Sequence, residues 1–351
     1  MAQIWSIVLL TLVTTVLCAP SEDRYGGHRH TFQVKAGQKI QKAIDAAPIK
    51  KDGISLRGQE GAILTAPDTF TRNACSGVFG RGTQAGICIA GSGLETAPFV
   101  TEHRKVLSVG RRVKGVSVSG FQVQGFAGAN ILVLGAEHTR ISQNTLIDGP
   151  NYGFLTSGSR YTSMEGNTIT SSDPAAPGII AMCMDNFEGA YVTDNDITFY
   201  VIGLCIQTDG AELHDNSVSY TCRGAYADPY VDGIRLENNH FGPSYNACDV
   251  LGSFGVSLAG STNALVLGNI VEGAHNDGPA AGIWVTDEPC TETSLACLAN
   301  PGVTIVSKGN KVIGNTLLDN DLDLWSNSTG SGNVFKKNKC TTSIPKGLCR
   351  K

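Results

Sequence analysis

Positive charge is scarce in the middle of this chain of 351 residues. From Gly115 to Ser307 there is no lysine. The segment contains four arginines and 20 Asp and Glu residues, which gives it a formal net charge of −16. A nucleic-acid-binding protein needs a basic surface, so this composition excludes that class. Only 17% of all residues are charged, which is too few for a disordered chain kept open by charge repulsion.

Long apolar runs are also missing after the first residues. Ile4–Val16 is mostly apolar and ends at the small-residue sequence Leu17-Cys18-Ala19, which is typical of a secretory signal peptide. At about 13 residues the run is too short to span a bilayer. We therefore expect a signal peptide at 1–18, a flexible mature N-terminus at 19–30, and a secreted, extracellular protein with no membrane segment in its mature form.

Cysteine spacing gives no CxxC pair and no Cys/His pattern of a zinc site, so we expect no metal bound through cysteine. Ten cysteines remain after Cys18, an even number that suits disulfides in an oxidising compartment. Short spacings predict Cys75–Cys88, Cys290–Cys297 and Cys340–Cys349. The remaining four, whose pairing the sequence leaves open, are Cys183, Cys205, Cys222 and Cys248. Asn327-Ser-Thr is a sequon that predicts N-glycosylation of Asn327.

A six-residue sequence motif recurs along the chain. It consists of an apolar residue, two variable residues, an asparagine, one more variable residue and a second apolar residue. The asparagines are spaced 23, 28, 21, 23, 30 and 46 residues apart, and they are Asn144, Asn167, Asn195, Asn216, Asn239, Asn269 and Asn315. One period of this length cannot bury its own apolar side chains, whereas stacked periods can. Asparagine suits such a stack because its side chain bonds neighbouring backbone and tolerates left-handed turns.

These features predict an all-β, single-domain, right-handed parallel β-helix over 31–339, closed by a C-terminal cap at 340–351. A first strand is expected at Phe32–Val34. Apolar residues at helical spacing between Ile40 and Ala47 predict an amphipathic capping helix, and Ile54–Leu56 would begin the first coil.

The segment Phe32–Ile44, followed by coils with recurring asparagines, resembles secreted right-handed β-helix proteins of the pectate-lyase-like superfamily. The resemblance implies the fold, but that superfamily contains lyases, hydrolases, epimerases and non-enzymes. The GHG and RIK motifs of polygalacturonases are absent here. Tyr226–Asp232 is only slightly similar to the Asp-Pro-His-Asp motif of mannuronan epimerases, since tyrosine replaces the histidine and one residue is inserted.

Two rows of side chains are expected to face solvent, two residues before and one residue after each repeated asparagine. They bring candidate acid/base groups onto one predicted face. Its candidate catalytic residues are Asp196, His214, Glu237 and His240, with Glu165 beside them. The alternative is an ordinary solvated stripe.

The segment Arg223–Arg235 is a second candidate, expected to be a loop over the groove. It would supply Asp228 and Asp232 for catalysis and Arg223, Arg235, Tyr226 and Tyr230 for substrate binding, with Trp284 as a stacking surface. The alternative is a connection packed by its aromatic residues.

Three functions remain open from the sequence. The first is a secreted carbohydrate-active enzyme, a lyase, hydrolase or epimerase, that uses acid/base residues on the helix surface. The second is a cofactor-free cyclase of small-molecule biosynthesis, and the third is a non-catalytic cell-wall or surface binding protein. The acidic middle segment favours a neutral or cationic ligand, unless calcium held by Asp194 and Asp215 bridges an anionic glycan. No other cofactor is expected.

Overall fold

The computed structural model describes residues 30–35, 52–67, 72–246, 248, 252–291, 295–297 and 301–349. The predicted signal peptide, the flexible mature N-terminus up to residue 29 and the capping helix between Ile40 and Ala47 lie outside these residues. No helix in the described part is long and apolar enough to cross a membrane.

Nearly all strands belong to two large parallel sheets, so the predicted all-β parallel β-helix is confirmed. In the first sheet most strands come directly before a turn of the coil, and we call it the leading sheet. Its strands are His30–Val34, Ile54–Gly58, Val113–Lys114, Ser117–Ser119, Ala136–Glu137, Arg140–Ser142, Arg160–Glu165, Glu188–Thr193, Glu212–His214, Arg235–Glu237, Leu265–Leu267, Lys311–Ile313 and Val334–Lys336.

The second sheet, called the wide sheet, follows the turn. Its strands are Ile63–Thr65, Ala85–Ala90, Gln122–Gln124, Ala129–Leu134, Thr145–Ile147, Tyr152–Ser157, Thr168–Thr170, Gly178–Asp185, Asp196–Ile206, Ser217–Ala227, His240–Phe241, Ser253–Ala259, Ile270–Glu272, Ala280–Thr286, Thr316–Leu318, Leu324–Ser326 and Ser343–Ile344.

The repeated asparagines stack directly over one another between the two sheets. The Oδ1 atom of Asn167 accepts the backbone N–H and the Nδ2–H of Asn144, both at 3.1 Å, and Asn195, Asn216 and Asn239 repeat this pattern at 2.9–3.1 Å. These side chains are buried, and they satisfy backbone groups that each turn would otherwise leave unpaired. The ladder therefore fixes the register of successive coils.

The interior of the coil is filled by the inward side chains of both sheets. A representative stack runs from Ile141 through Met164 and Val192 to Leu213 and Leu236, all of them 0–1% exposed. One coil cannot enclose these side chains, and burial comes from the coils above and below. The stack is thus rigid along the part of the chain that carries the candidate site.

An antiparallel hairpin, Ser92–Thr96 with Val106–Arg111, leaves the stack and folds over one face of the wide sheet. Val106 is 1% exposed and packs on Gly158, where an added Cβ would lie 2.4 Å from Val106 Cγ1. Gly158 also has a positive φ of 60°. The hairpin therefore docks where the coil has no side chain, which places its connecting residues 97–105 above the wide sheet.

Five disulfides tie the coils and their appendages. Besides Cys75–Cys88, Cys290–Cys297 and Cys340–Cys349, the structure pairs Cys183 with Cys205 and Cys222 with Cys248. Cys183 and Cys205 are register partners on neighbouring strands of the wide sheet. A second short antiparallel pair, Glu288–Pro289 with Thr304–Ile305, and the 3₁₀ helix Leu295–Cys297 lie near the Cys290–Cys297 bond.

Candidate functional site

Three polar side chains follow one another at the same position of three successive coils. Asp185 ends its strand, and Gln207 and Asp228 directly follow theirs. Backbone bonds continue the parallel ladder through them, from Gln207 N to Met184 O at 2.8 Å and from Asp228 N to Ile206 O at 3.0 Å. The fold therefore stacks the three side chains at intervals of about 4.8 Å.

Gln207 joins this row to the loop of the hairpin. Its Nε2 donates to Asp228 Oδ2 at 2.7 Å and to Glu102 Oε2 at 3.1 Å. Since both acceptors bond the same nitrogen, the two carboxyl oxygens are at most about 6 Å apart. Glu102 has a left-handed backbone with φ of 50°, a conformation that is uncommon outside glycine. We call Glu102, Asp185, Gln207 and Asp228 the carboxylate cluster.

Burial raises the pKa of the Asp228 carboxyl well above its ordinary value of 3.8, and the charges of Glu102 and Asp185 raise it further. The Gln207 amide and Lys105 act in the opposite direction without cancelling the rise. Asp228 is 5% exposed. The site therefore favours a protonated carboxyl group beside other carboxylates, which is the arrangement of a general acid.

Asp185 is held by groups from both the coil and the hairpin loop. Its Oδ2 accepts the Ser157 hydroxyl at 2.8 Å, and Lys105 Nζ lies 3.8 Å from Oδ1. His103 is fully buried, with Nε2 at 3.3 Å from Gln207 Oε1 and 4.0 Å from Asp185 Oδ2. The segment 102–105 thus completes a cluster that the coils begin.

Two tyrosines border the cluster. The Tyr152 hydroxyl is buried and has no hydrogen-bond partner among the described residues, and the Tyr152 ring centroid lies 6.0 Å from that of His103. Burial is the main cause that raises the pKa of Tyr152, followed by Glu102, Asp228 and Asp185; burial and then Asp228 raise that of Tyr226. Both phenols remain neutral donors.

A pocket of about 200 Å³ opens beside Asp228 and Gln207. Lys105, Phe187 and Tyr230 form part of its wall. Carboxyl, amide and aromatic groups therefore meet in one small cavity.

An aromatic surface continues from the cluster toward the C-terminal coils. Trp284 stacks on Phe254 at 4.5 Å and on Trp325 at 5.3 Å between ring centroids, and the Arg223 guanidinium lies 4.7 Å from the Tyr226 ring. We call Arg223, Tyr226, Phe254, Trp284 and Trp325 the aromatic shelf. The exposed Asn327 accepts the Trp284 Nε1–H at 2.9 Å, so the predicted glycosylation position adjoins this shelf.

The structure divides the first predicted catalytic face between two sheets. The two rows have the predicted register: His214 pairs with Glu237 in the leading sheet, and Asp196 and His240 align with Ser217 in the wide sheet. They nevertheless lie in different sheets, because left-handed residues turn the chain sharply between them. Outward side chains diverge at such a convex corner, so the two rows do not form one groove.

Each member of those rows has a local environment of its own. His214 Nδ1 lies 3.0 Å from Asp215, His240 Nε2 lies 2.9 Å from Glu272, and Glu237 is paired with Arg235. Asp196 is exposed. The structure does not bring these side chains to the carboxylate cluster.

The second predicted segment divides between two surroundings. Asp228, Tyr226, Tyr230 and Arg223 belong to the cluster, its pocket or the aromatic shelf, whereas Arg235 lies in the leading sheet. Asp232 accepts from Thr262 at 2.5 Å and from Asn263 at 2.7 Å, and these hydrogen bonds lower its pKa. All of Arg223–Ala227, the first part of the predicted loop Arg223–Arg235, is strand.

Sequence reasoning missed Glu102, His103, Tyr152, Asp185 and Gln207. Part of the signal was present: Asp185, Gln207 and Asp228 each lie four residues after a small residue, Ala181, Gly203 or Gly224, at one register position. Glu102 and His103 do not occupy a repeated position in the sequence, because they belong to a hairpin that lies outside the repeat.

The calcium position expected at Asp194 and Asp215 gains no support. Within the described residues no group of three or more His, Cys, Asp or Glu side chains is arranged to hold a metal ion. Asp215 faces His214, and Asp194 accepts the Thr193 hydroxyl at 3.1 Å.

Solved structures similar to this one include the Dettilon tailspike protein, with a TM-score of 0.50 and 12% identity over 90% of this chain and 60% of that chain. DFA-IIIase from Arthrobacter chlorophenolicus A6, without its lid, has a TM-score of 0.45 and 13% identity over 83% and 65%. The mannuronan C-5 epimerase A-module of Azotobacter vinelandii has 0.44 and 11% over 90% and 88%.

The chain thus spans less than two thirds of the tailspike and DFA-IIIase chains. No curated protein matches the sequence. The sequence profile described as "Right handed beta helix region" matches residues 113–344, about two thirds of the chain. Together with the two stacked parallel sheets, this match shows that the chain belongs to the right-handed β-helix family.

Proposed function

We propose that this protein is a carbohydrate-active enzyme of the glycoside hydrolase type, with the carboxylate cluster as its active site. One observation carries the proposal: Asp228, a buried carboxyl group with a raised pKa, shares the Gln207 amide with a second carboxyl group, Glu102. Hydrolysis of a glycosidic bond uses such a pair, one member protonated and the other ionised.

In the proposed reaction Asp228 donates its proton to the glycosidic oxygen while the Glu102 carboxylate attacks the anomeric carbon. The carbon–oxygen bond to the leaving sugar breaks, and a glycosyl ester forms on Glu102. A water molecule then attacks the same carbon and gives its proton to the Asp228 carboxylate. The ester bond breaks, which restores both groups and releases the second sugar.

The separation of the two carboxyl groups decides between two stereochemical courses. Their hydrogen-bonded oxygens are at most about 6 Å apart, which is close to the roughly 5–5.5 Å of retaining enzymes and below the roughly 6.5–9.5 Å of inverting ones. We therefore expect retention of the anomeric configuration. Asp185, two coils from Asp228, is about 10 Å away along the stack and is assigned a positioning role through His103 and Lys105.

The surroundings of the cluster support a sugar as the ligand. The pocket of about 200 Å³ is smaller than the roughly 300–1,000 Å³ of sites for drug-sized molecules, and it suits a single sugar ring. Trp284 and Trp325 of the aromatic shelf are partly exposed and offer flat apolar surface for further rings of a chain. Five disulfides further support the proposal that the protein is secreted and meets its glycan outside the cell.

Incubation of the purified protein with a panel of neutral and charged polysaccharides tests the proposal. We expect new reducing ends without the absorbance of unsaturated sugars, and NMR of the first product should show retained configuration. Glu102→Gln should lower the rate about 100-fold or more, while Glu237→Gln, a matched change in the leading sheet, should not. Unsaturated ends, epimerisation without cleavage, or glycan binding without any product would each overturn the hydrolase assignment.

A further inference from the structure

A second cavity, of about 610 Å³, lies between the hairpin and the loop that precedes Ala85. Three arginines line it, Arg72, Arg81 and Arg104, and no aspartate or glutamate is among its lining residues. Its remaining wall includes the apolar side chains of Val78, Leu94 and Leu134. We call this space the arginine cavity.

The three guanidinium groups have no carboxylate partner of their own in the described part of the chain, and no hydrogen bond of their side chains is formed there. Glu95, next to Leu94 in the hairpin, turns the other way and accepts the Ser108 hydroxyl at 3.0 Å. Like charges that line one cavity without a counter-charge repel one another, and an anion bound among them removes that cost. Guanidinium groups bind carboxylate, sulfate and phosphate through paired N–H donors.

The arginine cavity and the carboxylate cluster share one short segment of chain. Glu102 and His103 face the cluster, whereas the next residue, Arg104, lines the cavity and is fixed by its backbone bond to Val78 O at 2.8 Å. On the coil side, Leu134 pairs with Ser157 and Ser157 with Asp185, so Leu134 lies about two coils, or roughly 10 Å, from Asp185 and about four coils, or roughly 19 Å, from Asp228.

We infer that the arginine cavity is a binding site for an anionic group, a carboxylate, sulfate or phosphate, on the ligand that the carboxylate cluster acts on. Anion binding itself follows from the three unpaired arginines, and the link to a cleaved substrate rests on the proposed function. The apolar wall then contacts the ring that carries the charge. This inference reverses the expectation, drawn from the acidic middle segment, that charged glycans are repelled.

Titration of the whole protein at constant ionic strength, followed by NMR, tests the inference. The probes are inorganic sulfate, inorganic phosphate, glucuronate and, as the neutral control, glucose. We expect saturable binding of at least one anion and none of glucose. Arg104→Gln and Arg81→Gln should each weaken it by about tenfold or more, the loss expected for one charge-assisted hydrogen bond. Arg57→Gln, an exposed arginine in the leading sheet, is the matched control and should not change it.

The variants also separate this inference from the proposed function. In Glu102→Gln, which blocks cleavage, anion binding should persist. Cleavage of a neutral glycan that is indifferent to Arg104→Gln, together with no saturable anion binding, would overturn the cavity assignment and leave the hydrolase standing. Saturable anion binding without cleavage of any glycan would support the arginine cavity as an anion site and overturn the hydrolase assignment. Equal weakening by Arg104→Gln and Arg57→Gln would show only general electrostatic attraction and would also overturn the site.

Discussion

Replacement of Asp228 by asparagine is expected to remove activity and to stabilise the fold at neutral pH. Asparagine keeps the shape of the side chain and an oxygen that can accept from Gln207, now 2.7 Å from Asp228 Oδ2, but it carries neither a transferable proton nor a charge. Loss of a general acid should lower the cleavage rate about 10²- to 10⁴-fold.

The gain in stability follows from the raised pKa of Asp228. An unfolded chain releases this proton near the ordinary value of 3.8, whereas the folded protein holds it to a higher pH. The favourable contribution of the protonated group is therefore complete below pH 3.8 and is lost as the pH rises through the folded-state pKa, by about 1.4 kcal/mol for each unit between the two values.

An independent estimate of the cost comes from the two carboxylates. With both Asp228 and Glu102 ionised at a separation of about 6 Å, an effective dielectric constant of about 20 gives a repulsion of about 3 kcal/mol. Asp228→Asn abolishes this term. At pH 7 the free energy of unfolding of Asp228→Asn should then exceed that of the wild-type protein. The difference between the two should shrink toward zero below pH 4.

Urea unfolding at pH 3.5, 5 and 7, together with cleavage rates, measures both effects. Asp196→Asn is the matched control, since Asp196 is exposed on another part of the stack, and it should alter neither quantity. A variant Asp228→Asn that is less stable than the unchanged protein at pH 7, or that keeps more than a tenth of the activity, would refute the reasoning.

Four further substitutions test other parts of the structure. Asn216→Ala removes five hydrogen bonds of the ladder and should cost about 3–6 kcal/mol in urea unfolding, whereas Ser217→Ala beside it should cost little. Tyr152→Phe removes a buried hydroxyl that has no hydrogen-bond partner among the described residues, so the free energy of unfolding should stay equal or rise. A loss above about 1 kcal/mol would contradict this, because it would show that the Tyr152 hydroxyl forms a stabilising hydrogen bond. His214→Ala and His240→Ala should leave cleavage rates unchanged. A large loss of rate with either variant would indicate that catalysis takes place at the face predicted from the sequence, which carries His214 and His240, and not at the carboxylate cluster.

The repeat made the fold predictable. An asparagine every two dozen residues can satisfy the turn only if the next copy lies above it, so spacing alone determined the stack and the register of residues such as Asn167 and Asn195. The same register correctly aligned His214 with Glu237. It could not show the angle between neighbouring sheets, because that angle depends on the left-handed turn residue and not on the period.

Asp228 entered the sequence-based candidates through its local motif, yet its role depends on residues far away in the chain. Its pKa is raised by burial under a hairpin that comes more than 100 residues earlier, and Glu102 reaches it only through Gln207. No period relates a hairpin to the coil on which it docks. Such contacts are decided by packing, here by Val106 against the bare backbone of Gly158.

The distribution of charge is likewise determined partly by the sequence and partly by the tertiary structure. The sequence by itself determined that residues 115–307 are acidic and that the coils stack, because both are properties of residues counted along one dimension. Only the tertiary structure decided that Arg72, Arg81 and Arg104, which precede that stretch, line one cavity. A solenoid contacts mainly its neighbours in sequence, and the hairpin that leaves it is the element that brings distant charges together.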